Sequence, residues 1–177
     1  FSAEDLQFTN PNSKLCFYPW VLYSGGQAAK TPELAKRRNW LTRGDHDPRV
    51  TLIGDSGGFQ IQQGTIAFEG MPTVERMLCW LEDIATHSRG MDFPLATIAS
   101  GGVDIHVQRL ISEGIEMEKL SKQLGFDTGF LACLFQTTRN NRYYWKNRIP
   151  RKTKVLNIIQ GRNERESKFW FQRMQQF

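Results

Sequence analysis

The chain has 177 residues, 40% of them apolar and 23% charged, with a net charge of +5. This is an ordinary balance for one globular domain with a sizeable core. No apolar run approaches the ~20 residues of a membrane span, and no secretory signal, internal repeat or low-complexity tract is visible. The first residue is Phe1 rather than Met, so the true start is expected to lie upstream.

In chain order, Leu15 to Tyr23 reads as a strand rich in aromatic and branched residues, ended by Ser24-Gly25-Gly26. Thr31-Pro32-Glu33 carries a capping residue, a proline and an acid, and predicts a helix to about Trp40. Arg43 to Arg49 is a polar loop. Val50 to Ile53 is an unbroken apolar run, expected as a short buried strand. Pro72 opens the clearest helix, with Val74, Met77, Leu78, Leu81, Ile84 and Ala85 on one stripe. Arg89-Gly90 is expected to break it, and Met91-Asp92-Phe93-Pro94 to follow as a short strand end. Val107 to Leu124 predicts a helix interrupted near Gly114. Thr137 to Asn147 predicts another, stopped before Pro150. Lys154 to Ile159 reads as a strand, and Glu164 to Phe177 as a helix carrying Phe169, Trp170, Met174 and Phe177.

Alternating strands and helices argue an α/β fold with a parallel sheet and helical crossovers. An eight-stranded barrel takes ~250 residues. The pattern also stops on an aromatic with no cap in sight, so the chain is expected to be the N-terminal half of a larger TIM-type (β/α) barrel, a single incomplete domain. A self-contained small α/β domain is the alternative.

Cys16, Cys79 and Cys133 are odd in number and widely spaced. They suggest neither a disulfide framework nor a zinc knuckle, and are expected as buried free thiols in a reducing, cytoplasmic compartment. His46, His87 and His106 are scattered and read as surface or packing residues.

The charge is uneven. Between Thr138 and Lys154 stand Arg139, Arg142, Lys146, Arg148, Arg151, Lys152 and Lys154, with no acid among them and Tyr143, Tyr144 and Trp145 interleaved. Such a stretch suits a phosphate backbone with unstacked bases. It also suits a solvated helix face followed by a charged loop.

Directly after the Val50 strand comes Asp55-Ser56-Gly57-Gly58-Phe59-Gln60. A carboxylate, bare backbone, a flat ring and an amide are the parts that grip a planar heterocycle. The plain alternative is a turn, since Asp and Ser hydrogen-bond locally and Gly relieves strain. In parallel α/β folds, ligand sites gather at the carboxyl ends of strands. Asp55, Asp92 and Gln160 are each expected at such an end, and these three together with Phe59 are expected to line one cavity.

The Asp55–Gln60 motif resembles the signature of the tRNA-guanine transglycosylase family, and Val155-Leu-Asn-Ile-Ile-Gln160-Gly161 resembles that family's strand ending in Gln-Gly. The resemblance covers the chain from about Val50 onward. It implies a TIM-type barrel with inserted elements. It also implies exchange of guanine in a nucleic acid for a 7-deazaguanine, through a covalent glycosyl-enzyme intermediate, on a nucleotide lifted from its stack. It implies that Asp55 binds the base and serves as general acid/base, and that Phe59 stacks on the heterocycle. Ser56, Gly57, Gly58 and Gln60 would shape the pocket. Asp92 would accept from the ring N–H and exocyclic amine of guanine, and Gln160 and Gly161 would contact the base carbonyl. In a different register, Asp92 would begin the strand and Ile98 would take the recognition position.

The family's nucleophilic aspartate and its cysteine-histidine zinc site lie further downstream. No counterpart precedes Phe177, so this segment is expected to hold no metal and not to complete the reaction alone. Gln160-Gly161-Arg162 replaces the Gln-Gly-Gly of the tRNA enzymes, and the spacing from Asp55 to Asp92 is short. Both features resemble the DNA-modifying branch of bacteria and phages. Expected partners are therefore tRNA or DNA, a 7-deazaguanine base and a second copy of the chain. A non-catalytic nucleic-acid-binding relative is the competing reading. A TIM-type enzyme on a small molecule is a third, though no lysine or glutamate stands at a strand end.

Overall fold

β1 (Trp20–Ser24), β2 (Thr51–Asp55), β3 (His87–Arg89) and β4 (Lys154–Leu156) form one parallel sheet in the order β1-β2-β3-β4. The computed structural model describes residues 9, 10, 12, 16–24, 48–62, 64–89, 92–98 and 101–177. The helix predicted from Thr31 lies outside the described residues. The chain is mixed α/β. It divides into two compact units, one of residues 1–57, 69–90 and 147–156, the other of residues 58–68, 91–146 and 157–177.

The first unit holds the sheet and α2 (Met71–Ile84). Ser24 pairs with Asp55 at the end of the β1–β2 ladder, and His87 pairs with both Ile53 and Lys154. Val74, Met77, Leu78, Leu81 and Ala85 are buried, as the helical period predicts. β2 lies close to this helix at Gly54. A Cβ built there would stand 2.4 Å from Leu81 Cδ2 and 2.8 Å from the Ala85 Cβ. The Thr86 hydroxyl accepts from the Leu52 N–H at 2.9 Å and donates to the Leu52 carbonyl at 3.0 Å, tying the entry of β3 to β2.

The second unit is helical: α1 (Gly58–Gln62), a 3₁₀ turn (Leu95–Ile98), α3 (Gly102–Ser112), α4 (Met117–Leu124), α5 (Thr128–Asn147) and α6 (Glu164–Met174). Its core gathers Phe93, Val103, Leu110, Met117, Phe130, Leu134, Trp170 and Met174. Asp127 Oδ1 accepts from the Phe130 N–H at 2.8 Å and caps α5. Asn163 caps α6 by accepting from the Glu166 N–H.

Several expectations need correction. β1 begins at Trp20, and residues 16–19 are not strand. The second helix ends at Ile84, and the next strand is His87–Arg89 rather than the Met91–Pro94 stretch. That strand was hidden because its residues are polar and it exists through pairing on both edges. α3 starts at Gly102 rather than Val107, and α5 at Thr128 rather than Thr137. β4 ends at Leu156, so residues 157–160 are irregular. α6 ends at Met174 rather than Phe177. Of the thiols, Cys133 is buried while Cys16 and Cys79 are exposed.

Candidate functional site

Asp55 is the last residue of β2, and it and Ser56 are buried. Gly57 follows with φ 77°, a left-handed conformation that glycine adopts at no steric cost, and the chain then enters α1. The expected turn is thus made by Gly57, while Gly58 is already helical. Phe59 lies in α1, and its side chain lies outside the described residues. The Gln60 Oε1 atom is buried with no hydrogen-bond partner among the described residues.

Within the second unit, parts of both motifs meet. A Cβ built on Gly58 would stand 3.5 Å from the Pro94 ring and 3.7 Å from the Asp92 carbonyl oxygen, so α1 starts against the Asp92–Pro94 segment. Asp92 is 9% exposed and lies beyond the end of β3. Its Oδ2 atom accepts a hydrogen bond from Gln160 Nε2 at 2.8 Å, and Gln160 Oε1 accepts from the Leu95 N–H at 2.8 Å. The backbone contact fixes which end of the Gln160 amide faces Asp92. The segment is held further by the Phe93 N–H, which donates to Thr137 Oγ1 at 2.8 Å, and by the Thr97 hydroxyl, which donates to the Pro94 carbonyl at 2.7 Å. Both expected registers put Asp92 on a strand, at its end or at its beginning with Ile98 further along; the strand is His87–Arg89 and Leu95–Ile98 is a 3₁₀ turn, so neither Asp92 nor Ile98 lies on a strand.

The structure brings Gly58, Asp92 and Gln160 together. Asp55, Ser56 and Gly57 belong to the first unit, and Gly58 to Gln60, Asp92, Gln160 and Gly161 to the second.

No protein-family model, no characterised protein and no solved structure matches the chain.

Gly161 has a structural reason to be glycine. A Cβ there would fall 2.2 Å from Ser167 Oγ and 2.5 Å from its backbone nitrogen, so the first turn of α6 occupies that space. Arg162 is engaged as well: Glu166 accepts from its backbone N–H at 2.8 Å and from its guanidinium at 2.6 Å, and Asp127 holds the same guanidinium. The Arg162 hydrogen bonds hold the Glu166 carboxyl below its ordinary pKa, against the opposing effect of burial. At Asp127 burial pushes upward, but the Phe130 N–H and Arg162 outweigh it and the pKa falls. Nothing in the residue order marked this cluster, apart from the acid placed one turn after Arg162.

The basic stretch does not act as one set. Arg139 is ion-paired with Glu113 and Lys152 with Asp83, so neither is a bare cation. Arg142 and Lys146 stand exposed on α5, and Arg142 borders an apolar cavity of about 290 Å³ together with Phe135 and Arg173. Arg148 is half-buried, while Arg151 (φ 65°) and Lys154 are exposed. Tyr144 is buried in the fold and is not available for base stacking, whereas Trp145 is at the surface.

Among the described residues no three His, Cys, Asp or Glu side chains converge on a point that would hold a metal ion. Cys133 is surrounded instead by Thr97 and the Pro94 carbonyl, and burial pushes its thiol up to about 12, well away from thiolate chemistry. Among the described residues no helix is long and apolar enough to cross a membrane.

Proposed function

We propose that this chain recognises a guanine-type base through Asp92 and Gln160, as part of a base-exchange transglycosylase acting on tRNA or DNA with a 7-deazaguanine. The observation that carries the reading is the 2.8 Å hydrogen bond between Asp92 and Gln160. The resemblance assigns both residues to guanine, and they are neighbours in space although far apart along the chain. A carboxylate accepts from two adjacent N–H groups, and a primary amide keeps a second N–H for a carbonyl. That donor and acceptor pattern complements the Watson-Crick edge of guanine. The buried Gln60 Oε1, which has no hydrogen-bond partner among the described residues, is a further acceptor suited to an exocyclic amine.

The sequential parallel order β1-β2-β3-β4 supports the finer fold reading, the first strands of a TIM-type barrel, because a doubly wound sheet reverses its order at a switch point. Asp55 takes the acid/base role that the resemblance implies, and Phe59 the stacking role. No residue of this chain is assigned the nucleophile's role. A cytoplasmic location and a homodimer belong to the same proposal.

Calorimetric titration with guanine tests the base site directly. Asp92→Asn should weaken binding by about tenfold or more, since hydrogen bonds to a charged group contribute ~1.5–3 kcal/mol. Equal affinity in the variant, or no guanine binding by the wild type, would overturn the reading. Transfer of labelled guanine into tRNA or duplex DNA, lost in Asp55→Asn, tests the exchange chemistry separately. Salt-sensitive nucleic-acid binding with no guanine affinity would favour the non-catalytic relative instead.

A further inference from the structure

His106 on α3 is 5% exposed, and its ring stacks on Phe93 with centroids 4.4 Å apart. Phe68 meets Phe93 and His106 edge-on, at 5.1 Å and 5.9 Å. The imidazole Nε2 is buried and has no hydrogen-bond partner among the described residues. Buried polar nitrogens of this kind are normally paired, so its isolation needs a reason. A half-open cavity of about 460 Å³ lies beside it, bordered by Ile61, Phe68, Phe93, Thr97, His106 and Arg109. Mostly apolar walls with one or two convergent polar groups are the usual make-up of a small-ligand site.

We infer that this cavity binds a small, uncharged, planar nitrogen heterocycle whose polar edge pairs with His106 Nε2. The surrounding rings account for planarity. The charges account for neutrality. Arg109 borders the cavity and would repel a cation, and its guanidinium donates to the Phe68 carbonyl and to Gln136 and lies 3.5 Å from Glu113, a carboxylate it shares with Arg139. An anion would have to compete with these partners for the guanidinium. The imidazole itself is neutral near pH 7, because burial and then Arg109 push its pKa down to about 4. Neither Asp92 nor Gln160 borders the cavity, so the inference stands apart from the transglycosylase reading.

Benzimidazole and benzothiophene separate the hydrogen bond from simple apolar filling. Both are flat bicycles of similar size, but only benzimidazole carries an N–H and a ring-nitrogen acceptor on its edge. Titration monitored by NMR should show benzimidazole binding about tenfold more tightly to the wild type. In His106→Phe, which keeps the ring stack, that preference should vanish while benzothiophene binding persists. In the wild type labelled with nitrogen-15 histidine, benzimidazole should shift the His106 Nε2 resonance, a readout that does not depend on the variant folding. Equal affinities in the wild type, an unmoved Nε2 resonance, or a preference that survives in His106→Phe would each overturn the inference.

Discussion

The Thr137 hydroxyl, midway along α5, accepts the Phe93 N–H at 2.8 Å, one residue from the carboxylate that holds Gln160. A helix interior thereby sets the position of an irregular segment. Thr137→Val preserves shape but leaves the Phe93 N–H buried without a partner. The expected loss is about 1–3 kcal/mol in chemical denaturation. Guanine affinity should fall with it. An unchanged midpoint would show that the segment is held by other contacts.

Gly161→Ala should destabilise the chain by about 1–3 kcal/mol, because the first turn of α6 must move to admit a methyl group. Thermal melting measures the loss. If Gly161 served only ligand approach, the melting temperature would hold and guanine binding alone would suffer.

The Arg162–Glu166–Asp127 cluster predicts a pH dependence with a definite sign. Both carboxyls are depressed in the folded chain, so their stabilisation is complete above the ordinary carboxylate pKa of about 4 and fades as pH falls through their lower folded values. Arg162→Gln should therefore be less stable than the wild type at pH 7, and the gap should narrow on acidification. A gap that stayed constant from pH 7 to pH 3 would remove the cluster from the stability account.

His106 works in the window above that one. Its folded pKa of about 4 lies below the ordinary value, so the unfolded chain binds the extra proton first and stability drops as pH falls from about 6.5 toward 4. Arg109 and Arg139 push the pKa the same way, and Glu113 opposes them. The contribution is on the order of 3 kcal/mol. His106→Phe should lack that part of the acid sensitivity, while the weaker effect of His87, also depressed by burial and then by Lys154, remains. Parallel stability profiles for wild type and variant would contradict this.

For nucleic-acid binding, the exposed Arg142 and Lys146 should matter more than Arg139 and Lys152, which are already paired with acids. Replacing Arg142 by Ala should lower the slope of log affinity against log salt by about one. Arg139→Ala should change it less. The reverse ranking would place the contact surface elsewhere.

The amphipathic second helix was legible because a single stripe of large residues faces the sheet. The start of α5 was not. From Gly129 to Leu134 every residue is buried, so no polar face marks the helical period. β3 was invisible for the opposite reason: His87-Ser88-Arg89 has no apolar signal, and its strand state comes from neighbours distant in sequence. Asp92 and Gln160 were singled out by residue type and by an expected place at strand ends, but the strands end at Arg89 and Leu156, three and four residues earlier. Their bond to each other was not legible, because it depends on the Leu95 N–H that orients the amide.

Gly54 was passed over in the residue order, yet a single hydrogen atom at that point sets the clearance between β2 and the helix behind it. A scaffold gauged so closely has no slack to take up. In a saturation library selected only for folding, position 54 should reject every residue larger than glycine. The half-exposed Ile53 beside it should tolerate many replacements.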